Sequence, residues 1–213
     1  MPGQADTPEK PADQAAFLKK LHPKLAEAKA GRRVVRFLAA AHFGYGAFLG
    51  CRWCLARGFR RSPAGRQRFH VLGAVDAVSR RVHLFTNETY LTAQSVCALL
   101  DQLAACYAPR TVPLPRLLDH ARYQRCALVQ AHAQALGIEL EFLPAYSPNL
   151  NLIERDWRWV KKRCLKAKYH ANFGSRKVTL QQTTTAAHDD YAEELASWLT
   201  WNFQTFPQTQ VTK

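Results

Sequence analysis

The sequence predicts an α/β domain, a mixed sheet flanked by helices on both faces. Strand-like and helix-like stretches follow one another as strand, hairpin, helix, strand, helix, strand, helix, the order of a sheet covered on both sides. The first strand candidate, Val34 to Leu38, runs apolar enough, with only Arg36 interrupting, to be central in a sheet. The chain has 213 residues, 47% of them hydrophobic, enough for one sizeable core. Residues 1–32 read as a flexible lead with a short helix, 33–206 as the domain, and 207–213 as a tail.

In the lead, Phe17, Leu18, Leu21 and Leu25 recur at helical spacing across Pro23, predicting a short helix over 15–30. Val34 to Leu38 predicts the first strand. His70 to Val75 and Arg81 to Thr86 predict an antiparallel hairpin, turned at Asp76 to Arg80. Thr92 is a natural N-cap for a helix over 93–107, where Val96, Leu99, Leu100 and Leu103 share a face. A short strand ends at Asp119, a helix over 126–136 stops at Gly137, and 138–143 forms another strand. Pro144 and Pro148 make 144–149 a loop. A long helix over 152–167 carries Ile153, Trp157, Val160 and Cys164 as its apolar stripe, with Glu154 at the margin. A last helix spans 189–203 and packs through Tyr191, Leu195, Trp198 and Leu199.

Thirty Lys and Arg against sixteen Asp and Glu leave a formal charge of +14, so the expected partner is a polyanion, nucleic acid first. No apolar run approaches the roughly 18 residues of a membrane span, and the start lacks the pattern of a secretory signal. Six cysteines in a chain of this length read as reduced thiols, which favours the cytoplasm. The single Cys51-Arg52-Trp53-Cys54 pair lacks the second pair a structural zinc site needs.

Asp119 and Glu154 are the candidate chemical groups. Carboxylates at a strand end and in a first helical turn suit hard divalent cations, and two-metal phosphoryl chemistry places such ions about 3.5–4 Å apart. Taken singly, Asp119 is equally a turn or cap residue, and Glu154 an acid favoured by the helix dipole.

The segment Leu143-Pro144-Ala145-Tyr146-Ser147-Pro148-Asn149-Leu150-Asn151-Leu152-Ile153-Glu154-Arg155 resembles the Leu-Pro-x-Tyr-Ser-Pro-x-Leu-Asn-x-Ile-Glu signature of bacterial insertion-sequence transposases related to the mariner superfamily. The 34 residues between Asp119 and Glu154 match the interval that family keeps between its second and third catalytic carboxylates. Leu118-Asp119-His120-Ala121-Arg122-Tyr123-Gln124 resembles the second-aspartate strand end, with His120 where the family has Asn. The likeness runs from about Val34 to Phe206 and implies a ribonuclease H-like fold, two Mg²⁺ ions with Mn²⁺ as substitute, and Asp119 and Glu154 as ligands. A metal-activated water would cut the element's ends, and the freed 3′-hydroxyl would attack target DNA at a TA step.

The family's first aspartate should stand in Phe37-Leu38-Ala39-Ala40-Ala41-His42-Phe43, at position 39. Alanine offers no oxygen to a metal, so the resemblance implies impaired strand cleavage, through decay of an element or through one targeted change. Asp76 lies in the hairpin turn, and His42 is a poor Mg²⁺ ligand; neither replaces the carboxylate.

Arg57, Arg60, Arg61, Arg66 and Arg68, with Arg52, crowd one segment that also holds Trp53, Phe59 and Phe69, a composition suited to DNA contact. Arg122 accompanies Asp119. Arg155, Arg158, Lys161, Lys162, Arg163, Lys166 and Lys168 follow Glu154 on its helix, where a phosphate backbone or plain solvent would meet them. The expected partner is double-stranded DNA, both element ends and target, with homodimerisation on paired ends. About thirty residues precede the first strand, so the helix-turn-helix end recognition of such transposases is expected to lie elsewhere. A non-catalytic DNA-binding relic is the second reading and a structure-specific nuclease the third. Joining of a 3′-hydroxyl end to a second duplex separates a transposase from a nuclease.

Overall fold

The computed structural model describes residues 11–46, 65, 67–106, 114–118, 124–166 and 168–205. Five strands form one sheet: β1 (Arg36–Gly44), β2 (Arg68–Asp76), β3 (Val82–Asn87), β4 (Leu114–Leu118) and β5 (Ile138–Phe142), in the order β3-β2-β1-β4-β5. The hairpin side is antiparallel, whereas β1, β4 and β5 run parallel. This is the mixed sheet the element order predicts, and β1 lies at its centre.

Because side chains alternate across a strand, β1 feeds two cores. Phe37, Ala39, Ala41 and Phe43 join the cluster under α1 (Pro11–Lys29), α4 (Leu152–Cys164), α5 (Phe173–Asp190) and α6 (Ala192–Trp198). Leu38 faces the opposite cluster, under α2 (Ala93–Ala105) and α3 (Ala127–Ala135). Both faces of its first half are thereby dry, which explains why residues 34–38 read as a largely apolar run.

Local signals act where expected. Thr92 caps α2 in a reciprocal pair with Ser95, and Gly137, at φ +66°, ends the turn after α3 in the left-handed region. Asp76 closes the hairpin: its Oδ1 accepts from the amides of Val78 (3.0 Å) and Ser79 (2.8 Å), and Oδ2 lies 3.6 Å from Arg36 Nε. It is the last residue of β2, opposite Arg36 and three positions from the Ala39–Gly73 pair, and its oxygens are spent on the turn and on Arg36.

Three expectations need correction. The first helix is longer than 15–30, and Leu21, Leu25 and Ala28 are buried in the main core. The strand expected over residues 34–38 continues to Gly44. Most of α5 was not foreseen, and the helix expected over 189–203 is α6 alone, set off from α5 by Tyr191 at φ −132°. The buried residues of α5 include Leu180 and Ala187 but also Arg176 and Thr184, so a polar half of its inner face hides the helical period. No described helix is long and apolar enough to cross a membrane.

Candidate active site

The segment before α4 is built to hold that helix in place. Tyr146 takes φ +57°, and Pro148 opens a single 3₁₀ turn, Pro148–Leu150, that buries Leu150 completely. Buried Ser147 Oγ accepts from Gln14 Nε2 of α1 at 3.1 Å and donates to Ala145 O at 3.2 Å. Asn149 Nδ2 donates to Gln204 O at 2.6 Å. Asn151, 1% exposed, donates from Nδ2 to the carbonyl oxygen of Leu38 at 3.2 Å. That bond ties the start of α4 to β1 one residue before Ala39.

The packing beneath is equally tight. Ala39 is fully buried and stands in register with Gly73 on β2. A Cβ on Gly73 would lie 2.5 Å from Trp157 Cζ2 and 2.8 Å from Ile153 Cδ1. The glycine is therefore what lets the first turns of α4 settle on the sheet beside Ala39. Glu154 lies in the first of those turns, half-buried, between Ile153 and Arg155. A cleft of about 650 Å³ opens beside it, lined among others by Glu154, Arg158, Ser197, Trp198 and Thr200.

On the other flank, Leu38 is in parallel register with Leu118, the last residue of β4. The residues next in sequence are Ala39 and Asp119. Asp119 itself, with Arg57, Arg60, Arg61, Arg66 and Arg122, lies outside the described residues, as do Cys51 and Cys54. Among the described residues no three His, Cys, Asp or Glu side chains gather to hold a metal ion.

Of the described basic candidates, Arg68, Arg158 and Lys162 are exposed and Lys161 is half-buried. Lys161 Nζ sits 5.7 Å from the centre of the Phe43 ring, and Lys162 Nζ 5.1 Å from that of Trp198. Two other cations of α4 serve the fold. Arg155 donates to the carbonyl oxygens of Thr200 and Asn202, both at 2.8 Å, and lies over Phe203. Arg163 stacks on Tyr191 at 3.8 Å and faces Glu194. Composition alone could not separate these from the solvent-facing cations, because all sit on one basic helix.

A match to the DDE superfamily endonuclease family covers residues 57–176, more than half of the chain. The chain belongs to that family. Its fold is ribonuclease H-like, as the superposition on solved transposases shows. The Mos1 strand transfer complex aligns at TM-score 0.60 and 12% identity, over 97% of this chain and 66% of the Mos1 chain. The Mos1 mariner paired-end complex with Mn aligns at 0.61 and 13%, over 97% and 66%. The paired-end complex with Mg gives 0.58 and 12%, over 97% and 69%. The chain thus spans about 66% of the length of the Mos1 chain in the first of these. No match was found among curated proteins.

Asn151 and Gly73 were missed as site-building residues by sequence reasoning. Asn151 was visible as part of the signature phrase, but its partner, the Leu38 carbonyl, is 113 positions away. Gly73 carries no local signal, since its reason is the tryptophan packed on it.

Proposed function

We propose that residues 33–206 are the catalytic domain of a DNA transposase of a bacterial insertion sequence, with a lead at 1–32 and a tail at 207–213, and that the chain as written is impaired in strand cleavage. The observation that carries this reading is the junction at Leu38. There the strand preceding Ala39 meets the strand preceding Asp119 in register and is hydrogen-bonded to the turn preceding Glu154. Three separate segments converge on one point of the sheet, and two of the three end in carboxylates.

Such a junction suits Mg²⁺ or Mn²⁺, whose oxygen ligands would be Asp119 and Glu154. Bound there, a pair of ions supplies Lewis acidity and activates a water or a 3′-hydroxyl. Position 39 would supply the carboxylate between the two acids, and it presents a buried methyl group instead. This donor set does not fit a pair of ions. What the chain's own residues can do is hold DNA: Arg68, Arg158, Lys161 and Lys162 would contact phosphates near Glu154, and Arg57, Arg60, Arg61, Arg66 and Arg122 would extend that surface. The duplex partners are element ends and target DNA, engaged by a homodimer in the bacterial cytoplasm.

The non-catalytic DNA-binding relic is favoured by one specific observation, the oxygen-free side chain at position 39. Strand joining tests the transposase reading. Ala39→Asp protein with Mn²⁺ should join an exposed 3′-hydroxyl end to a second duplex. Cleavage without joining would make the domain a nuclease, and neither activity would leave only a DNA-binding relic.

A further inference from the structure

Past the C-terminal end of β1 the chain forms a cleft of about 270 Å³, lined by His42, Phe43, Gly44, Gly46, Lys161, Leu165 and Arg176. Its charged lining residues are cations. Arg176 is the unusual member: it is only 4% exposed, yet it is a guanidinium, which stays charged in proteins. Its Nη1 donates to Gly46 O at 3.0 Å, while Nε is buried with no hydrogen-bond partner. Among the described residues no carboxylate pairs with it. The sequence offers no acid nearby along the chain either, since Glu27 and Asp76 bracket a stretch without Asp or Glu and with nine arginines.

A buried cation normally has an anionic partner, because the loss of hydration is large. The backbone around this one is open to such a partner. A Cβ on Gly44 or Gly46 would meet nothing within 4 Å, so the chain there can be approached closely. The rim is held in place: Tyr45 N donates to Gln67 O at 2.8 Å and Tyr45 Oη donates to His170 O at 3.0 Å. His42 faces the same field. Burial, and then His70, Arg68 and Lys161, lower its pKa, so the imidazole is a neutral member of a cationic cleft.

We infer that this cleft is a seat for one phosphate group, filled by a phosphodiester of the DNA strand that passes Glu154. Lys161 lies seven residues after Glu154, two helical turns on and on the same face, about 10 Å along the axis. That distance is about three nucleotide steps of rise along one strand. The choice of DNA as the source of the phosphate rests on the proposed function; the anion site itself does not.

The test uses the whole chain and two probes, inorganic phosphate and a 20-base-pair duplex, with the imidazole resonances of His42 followed by NMR across pH. Phosphate in the cleft should raise the pKa of His42 and leave the ring resonances of His132, which faces Asp101 at 2.7 Å, unmoved. The duplex should do the same. Lys161→Gln should remove most of the His42 response and weaken duplex binding several-fold, whereas Lys20→Gln on exposed α1 should change neither. Arg176→Gln is the second variant, read by the same resonance. A His42 pKa unmoved by both probes, or moved equally in the Lys161→Gln protein, overturns the seat. A response to phosphate alone overturns the assignment to DNA. Strand joining by Ala39→Asp protein is judged independently, so loss of the seat and loss of the transposase reading are distinguishable.

Discussion

Asp156 is fully buried on α4, two residues after Glu154, and neither of its carboxylate oxygens has a hydrogen-bond partner. Burial pushes its pKa up to about 7. The sign of the consequence follows from proton binding. The unfolded chain releases this proton near pH 4 and the folded one near 7, so between those values rising pH destabilises the fold, and above 7 the penalty is constant. Three pKa units correspond to about 4 kcal/mol. Asp156→Asn keeps the shape and cannot ionise. Its stability relative to the parent, from urea unfolding at pH 4 to 8, should improve progressively up to pH 7 and then level off. A difference independent of pH would mean that the carboxyl is ionised at a pH well below 7 in the folded chain. Ala39 poses the complementary case. Ala39→Asp puts a carboxylate in a dry position, so the variant should melt below the parent in EDTA and regain several degrees with Mn²⁺, by preferential binding to the folded state. The parent should show a much smaller metal effect.

Among the elements, α4 decides the site, and its seating depends on a missing side chain. Gly73→Ala would drive a methyl group into Trp157 and Ile153. Overpacking of this kind costs about 1–3 kcal/mol. Placed in the Ala39→Asp protein, it should also lower cleavage more than stability alone explains, because Glu154 would ride out with the helix. Urea unfolding and nicking of the same preparation separate the two effects. The succession of strands and most helices was legible because their signals are local: the apolar runs of β1 and β2, the Thr92 cap, Gly137, and the apolar stripe of α4. What was not legible depends on distant partners. Arg176 and Thr184 spoil the pattern of α5 because they are buried for reasons lying on other segments. Arg155 and Arg163 look like DNA ligands until the C-terminal segment and α6 are seen to engage them. The signature phrase marked Glu154 directly, but not that its asparagine and serine hold the helix to β1 and α1.

At the scale of the whole molecule, a +14 chain keeps exposed cations on α4 and at the start of β2 as well as on α1. DNA affinity should therefore be salt-controlled. If about four phosphates are engaged, binding to a random-sequence duplex should fall about 100-fold between 50 and 200 mM salt. Fluorescence anisotropy would show this, and Ala39→Asp should leave the slope unchanged, since the proposed DNA-contacting cations and the proposed metal ligands are different residues. The proposed function places in this fold a strand-cleaving centre lacking one carboxylate at position 39. Mn²⁺-dependent nicking of supercoiled plasmid, by the chain as written, by Ala39→Asp, and by Ala39→Asp with Glu154→Gln, tests it most directly. Nicking by the Ala39→Asp protein alone is the expected result. Equal nicking by the chain as written would contradict it, and would mean that another ligand completes the site.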